Sequence, residues 1–390
     1  MISVDQALSH IFDQITPLAS EMVPLRQAPG RILIEDVVSK LNQPPFRTSI
    51  MDGYALRNDQ VVPGTRFKVI GEAAAGHRFT DVVGEGEVVR IFTGAPLPEG
   101  TDRVVIQEDV VAEDGEIVLN DSLDNARYVR EIGSDFAKGD IIEAPRRLTG
   151  SDVSLCAAMN VSEVSVARRP SVALMATGDE LVMPGESPGE DQIVASNIYG
   201  LASLIEDEGG IARILPIARD NKASLVQAFE LAQGNDLIVT IGGASVGDHD
   251  LVGQVAVELG MKRAFYKVAM RPGKPLMAGR LGGSVLLGLP GNPVSALVCG
   301  HLFLRPALRA MQGLPAEALP RQQAPLAAPL AANGVREHYM RAQLGDRGIA
   351  AANSQDSALL TVLAGANALI VRPPHDPERA VGEIVEYIEL

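Results

Sequence analysis

ATGDE at 176–180, IGGASVGD at 241–248 and LPGNPVS at 289–295 each close an apolar, β-rich run with a glycine-bearing turn. The runs themselves, SVALMATG from 171, DLIVTIGG from 236 and SVLLGLPG from 284, read as strands. ARILPIA (212–218) and RAFYKVAM (263–270) read as two more. Helical patterns separate them. SNIYGLASLIEDEGG starts at Ser196 as N-cap and ends before Gly209, and ASLVQAFELAQG and DLVGQVAVELG follow. NPVSALVCGHLFLRPALRAM reads as one long helix. Strand–helix alternation of this kind specifies a parallel sheet with helices on both faces, so residues 170–312 are expected to form a doubly wound α/β domain.

Parallel strands point the same way, so the three turns are expected on one edge, where open α/β sheets hold ligands. Backbone N–H groups in such turns, with helix N-termini behind them, bind anions. The candidate binding residues are Thr177, Gly178, Gly242, Gly243, Ser245, Pro290, Gly291, Asn292 and Pro293, with Ser196 and Asn197 opening the first helix and Ser295 in the last. Lys267, Arg271 and Lys274 in YKVAMRPGKP stand out in an acidic chain and are expected to clamp phosphate or another oxyanion. Acids crowd the same edge: Asp179 and Glu180, Asp248 and Asp250, and Asp220, which also suits a helix N-cap. Acids beside a phosphate site commonly hold Mg²⁺, and Glu180, Asp220 and Asp250 are the expected ligands. The six histidines, His10, His77, His249, His301, His338 and His375, lack zinc spacing, and neither GxxxxGK[ST] nor GxSxG occurs.

Outward from this domain the character changes. Residues 1–20 carry apolar positions at helical spacing, and 149–160 read as a helix capped by Thr149 or Ser151. Residues 46–142 alternate short β runs with Gly, Pro and Asp turns, as expected of an inserted antiparallel β domain. Within it TSIMDGYA (48–55) and FTGAP (92–96) stand out, and Asp52-Gly53 has the composition of a hairpin turn. GLPAEALPRQQAP (313–325) reads as a linker before a small β-rich C-terminal domain. The expected division is 1–45 with 143–169 as a helical linking domain, 46–142, 170–312 and 319–390.

A net charge of −15 argues against nucleic-acid or anionic-membrane partners, and a chain without Trp and with 4% aromatics offers little for base stacking. Cys156 and Cys299 lie in apolar stretches and read as buried, reduced thiols. No signal peptide or 18-residue apolar run is evident, so a cytoplasmic location is expected.

Taken in order, TSIMDGYA, RIFTGAPLPEGTDRVV, ATGDELVMPGE, IGGASVGDHD, RPGKP and LPGNPVSA resemble the MoeA-type molybdopterin molybdenumtransferases, to which the gephyrin E-domain also belongs. The resemblance covers nearly the whole chain. It implies a MogA-like α/β domain, a homodimer, and insertion of molybdate into adenylylated molybdopterin (molybdopterin-AMP) with release of AMP and a need for Mg²⁺. Position by position it implies Asp52, Asp135, Glu180, Asp220 and Asp250 as functional acids, and Thr93 and Gly94 of FTGA as site residues. Lys267, Arg271 and Lys274 match the family's basic loop, Pro290 and Pro293 its PGNP turn, and Ser245 and Ser295 the hydroxyls nearest molybdate. It further implies that the MDGYA and TGA turns face the α/β edge of the partner subunit. Ala195 stands where relatives often carry Asp. Molybdopterin adenylyltransferase and molybdoenzyme maturation proteins are the implied partners. Two other functions share these features: adenylylation of molybdopterin itself, and a non-catalytic pterin-binding or scaffold module.

Overall fold

The computed structural model describes residues 1–243 and 251–390. The chain divides into two compact units, one of Met1–Glu21, Gly30–Ile34 and Val166–Leu390, the other of Met22–Pro29 and Glu35–Ser165.

At the centre of the first unit is a six-stranded sheet in the order Ile211–Ile214, Ser171–Ala176, Leu237–Ile241, Ser284–Leu289, Pro275–Leu281, Lys262–Lys267. The first four strands are parallel. Pro275–Leu281 runs antiparallel to both its neighbours, which corrects the all-parallel expectation. The cause is local: Leu281 opposes Ser284 across Gly282-Gly283, a two-residue hairpin that only antiparallel neighbours can share. Both faces are buried. Val172, Leu174, Val239 and Leu287 pack with helices Asn197–Asp207 and Pro293–Cys299, and with the N-terminal helix Val4–Phe12. Ala173, Met175, Ile238 and Leu286 pack against helices Lys222–Ala232 and Leu251–Glu258. Burial on both faces is why these strands read as continuous apolar runs rather than alternating ones.

The long helix is interrupted by a π-helical turn at Gly300–Leu304, where the Arg305 N–H reaches back to the Gly300 carbonyl. Pro306 has no N–H to donate, and the wider turn absorbs the missing bond. Beyond it the expected linker is partly strand: Gln322–Pro325 pairs with Ile384–Glu389. The C-terminal sheet runs Met270–Arg271, Glu337–Gly345, Ala368–Arg372, Ile384–Glu389, Gln322–Pro325, with Gly348–Ala351 paired to Glu337–Gly345 off this path. Tyr339, Leu369, Val371 and Ile388 of this sheet join the same core as the α/β domain.

The second unit holds a six-stranded sheet in the order Arg103–Ile106, Gly53–Leu56, Glu87–Ile91, Arg66–Ala73, Glu116–Leu119, Val110–Glu113. It is antiparallel as expected, except that Arg66–Ala73 and Glu87–Ile91 run parallel around a bulge between Val69 and Gly71. Helix Gly150–Ala158 starts at Thr149 in a capping box with Asp152.

Candidate active site

The three turns begin level with one another, because Ala176 opposes Ile241 and Ile241 opposes Leu289 in the parallel register. The turns are then stitched together. Thr177 N–H donates to the Ile241 carbonyl at 3.0 Å, and Gly242 N–H to the Leu289 carbonyl at 3.2 Å. Asn197 Nδ2 donates to the Gly291 carbonyl at 2.7 Å. Gly242 has φ +92°, and a Cβ there would lie 2.6 Å from the Thr177 carbonyl oxygen, so any other residue would push the turns apart.

Above these turns opens a cavity of about 490 Å³. Its walls hold Thr177, Gly242, Gly243, Pro290, Gly291, Asn292 and Pro293 from the turns, and Ser196 and Asn197 from the first helix. Glu180 and Asp220 line it too. Gly178 lies in the turn between Thr177 and Glu180, and Ala195 adds a small apolar wall. Ser245, Asp248, His249 and Asp250 lie outside the described residues.

Asp220 is not the helix cap that the sequence suggested. Asn221 caps Lys222–Ala232, its side chain accepting from Ser224 N–H. That leaves the Asp220 carboxyl facing the cavity, where partial burial, then the charges of Asp179 and Glu180, push it above the usual carboxylate range. Like charges held together in a cavity suit a hard cation. Among the described residues no three acid, His or Cys side chains converge on a point by themselves, so Glu180 and Asp220 would share a metal with ligand oxygens or with Asp250.

Lys267, Arg271, Lys274 and Ser295 are not in the wall of this cavity; Pro275, next to Lys274, is. Ser295 is buried one turn into its helix. Lys267 lies over the Tyr266 ring at 5.2 Å. The loop they occupy is tied down on several sides. Ile2 N–H donates to the Lys267 carbonyl at 3.2 Å, Ala269 N–H donates to the Ile2 carbonyl at 2.8 Å, and Met270–Arg271 forms the edge strand beside Glu337 and His338.

Sequence reasoning missed the group that this arrangement makes most conspicuous. Arg341 is 0% exposed, yet its Nε and Nη1 have no hydrogen-bond partner among the described residues. Only Nη2 is engaged, donating to the Ser354 carbonyl at 3.2 Å. Burial makes the guanidinium's charge less favourable than in water; the carboxylate of Asp356 offsets part of that, and Arg271 adds to it. The segment after Ser354 leads back to the cavity wall: Asn292 Nδ2 donates to Ser357 Oγ at 3.1 Å, and Val294 N–H donates to the Ser357 carbonyl at 3.2 Å. Arg341 thus keeps two donor atoms without a partner among the described residues, on an element whose neighbouring segment is bonded to the PGNP turn. Its one sequence signal is an arginine in the midst of a strand, Glu337–Gly345, that is otherwise largely apolar.

In the second unit, Asp52 accepts from Thr93 N–H at 2.7 Å and Thr93 Oγ1 at 2.8 Å, which hold its carboxyl below the usual range. Asp52-Gly53 is not a hairpin turn. Gly53 opens a strand, and a Cβ on it would lie 2.1 Å from the Val105 carbonyl oxygen, so close strand approach is what demands glycine. Arg90, also unforeseen, braces this segment by donating to the Gly53 carbonyl at 3.2 Å and Gln107 Oε1 at 2.6 Å while stacking over Tyr54 and Phe92. Gly94 and Asp135 are exposed in the same unit. No described bond joins Asp135 to Asp52.

A mostly parallel sheet whose strand-end glycine turns line one cavity together with acids is the arrangement in which doubly wound α/β enzymes place their sites. Comparison with known proteins gives the particular family. Residues 2–160 match the model of the MoeA N-terminal region, 173–310 a probable molybdopterin binding domain, and 323–390 the MoeA C-terminal region. A molybdopterin molybdenumtransferase from Haemophilus influenzae is 38% identical over 317 residues, covering 80% of this chain and 78% of the relative. Molybdopterin molybdenumtransferase 2 of Mycobacterium tuberculosis is 32% identical with 94% of each chain covered. A crystal structure of the molybdopterin biosynthesis MoeA protein from Pyrococcus horikoshii superposes with TM-score 0.84 at 31% identity, covering 100% of this chain and 99% of that one. The chain belongs to the MoeA-type molybdopterin molybdenumtransferases. It is a transferase of molybdenum cofactor biosynthesis. No described helix is long and apolar enough to cross a membrane.

Proposed function

We propose that this transferase inserts molybdate into adenylylated molybdopterin and releases AMP, with Mg²⁺ as the required divalent ion. The observation that carries the reading is the cavity at the three glycine turns, lined by Glu180 and Asp220, with the buried Arg341, two of whose donor atoms lack a partner among the described residues, linked through Ser354–Ser357 to its PGNP turn. The Thr177, Gly242 and Gly291 turns would receive the phosphates, and Arg341 with Arg271 and Lys274 would hold molybdate. Bringing two anions together demands such preorganised cations and N–H donors. Glu180, Asp220 and Asp250 would hold Mg²⁺, which supplies Lewis-acid polarisation of the phosphoanhydride when bound. Attack by water or a molybdate oxygen at the pterin-side phosphorus forms a P–O bond and breaks the phosphoanhydride with AMP as leaving group; the dithiol then replaces one molybdate oxygen, two Mo–S bonds forming as that oxygen leaves as water with the two thiol protons.

We also infer a cytoplasmic homodimer in which Asp52, Thr93 and Gly94 of one copy complete the site of the other. Partners would be the adenylyltransferase that supplies the substrate and the maturation proteins that receive the product. The decisive measurement is turnover of adenylylated molybdopterin with and without molybdate and Mg²⁺. AMP release should require both, and equal release without either sinks the reading. Mixing Asp52→Ala with Glu180→Ala chains tests the shared site: each alone should be inactive and the mixture active.

A further inference from the structure

The two acids that line the cavity sit on turns of separate strands and repel each other, so something must set their spacing. We propose that Arg219 is a positioning residue that fixes Glu180 and Asp220 in a geometry fit for a divalent cation. The proposal rests on the metal reading above and goes beyond it by assigning the residue that shapes the pair.

Arg219 immediately precedes Asp220, and its side chain crosses to the other acidic turn. Nη1 donates to the carbonyl oxygens of Gly178 at 3.3 Å, Asp179 at 3.0 Å and Leu181 at 3.1 Å. Those carbonyls bracket Glu180 on both sides, so its backbone is folded around the guanidinium. The backbone of the Arg219 segment is anchored in turn. Arg219 N–H donates to Ser224 Oγ at 2.9 Å in the first turn of the next helix. Asp220 N–H donates to Asp179 Oδ1 at 3.1 Å, and Gly178 N–H to the Ala218 carbonyl at 3.1 Å. The two acidic turns are thus one hydrogen-bonded body with Arg219 at its centre. Arginine suits the task because it is always charged and its rigid planar head carries Nη1 to the three carbonyls at a reach that a lysine ammonium on a shorter, flexible stem does not hold. The residue is exposed, so replacing it leaves no hole in the core.

The clamp and simple charge make opposite forecasts. Removing a positive charge beside two carboxylates should by itself tighten cation binding. Losing the clamp should weaken it, by about ten-fold or more, as for other residues that orient metal ligands. The test is Mn²⁺ titration of the substrate-free protein, followed by the spin resonance of free Mn²⁺, for wild type, Arg219→Gln and Arg219→Lys. Both variants should bind Mn²⁺ more weakly with an unchanged melting temperature, and amide exchange over 177–182 should quicken. In turnover, half-saturating Mg²⁺ should rise while kcat at saturating Mg²⁺ is kept. Wild-type or tighter Mn²⁺ binding by Arg219→Gln overturns the proposal alone. Failure of the wild type to bind Mn²⁺ overturns the metal reading and the proposal together.

Discussion

Asp52 and Asp220 are turn aspartates in different units of the chain, and their surroundings act on them in opposite directions. Asp52 is met by both donors of Thr93, and its carboxylate is favoured. Asp220 has no such donor on its carboxyl among the described residues; partial burial and two neighbouring acids disfavour its charge. The difference separates an acid whose place is fixed by the protein itself from one that waits for a cation to complete it. In the folded state Asp52 releases its proton more readily than when unfolded, so its contribution to stability is present above pH 3.8 and lost as pH falls. Folded Asp220 holds its proton more tightly, so its contribution is present below pH 3.8 and lost as pH rises through the raised value. Where it is ionised, Asp220 favours the fold less than a neutral side chain in its place would.

The largest effect should come from breaking this contrast by substitution. Asp220→Asn should lower molybdate-dependent AMP release by about 10²-fold or more, the usual consequence of removing a charge-stabilising group from such a site, while raising the melting temperature at pH 7. Asp52→Asn should also impair turnover but lower the melting temperature. Parallel stability changes in the two variants would show that the contrast is not real. Arg341→Met sharpens the same point with the opposite charge. Lost charge-assisted hydrogen bonds of about 1.5–3 kcal/mol correspond to a roughly 10- to 100-fold higher KM for molybdate. Because Asp356 and the Ser354 carbonyl lose their cationic partner, stability should fall modestly, which the melting temperature reads. An unchanged KM would dismiss Arg341 as the molybdate seat. The smallest effect concerns pH. Burial, then Arg271, Arg341, Arg372 and Arg336, bring His338 down to about 4. Burial and Arg305 bring His301 to about 4 as well. Both are neutral in the fold, so their contributions are full above pH 6.5 and decline as pH falls through 6.5 toward 4. Melting temperature should fall over that window, and His338→Gln should flatten the fall; an unaltered slope counts against it.

Much of this site was legible because strand ends and glycine turns are local features. The turns after Ala176, Ile241 and Leu289 could be placed on one edge from strand direction alone, and the register aligns them. Asn221 rather than Asp220 as helix cap was not legible, because neighbouring Asp and Asn have equal preference and only backbone geometry chooses between them. Pro275–Leu281 is hard to read as a strand because it opens on Pro275 and carries Gly279 and Arg280 in its apolar run. Arg90 and Arg219 were passed over for a different reason. An arginine that binds carbonyls has no motif, since its acceptors are main-chain atoms that every residue carries.

Sequence by itself determined the α/β alternation, the anion-binding turns and the family, because hydrophobic period, glycine placement and motif order are written in neighbouring residues. Tertiary structure alone decided which charges the fold leaves unanswered. Arg341 lies about 50 residues from the PGNP turn and Arg219 about 40 from the acidic turn it grips, and only folding tells which distant donors and acceptors find partners.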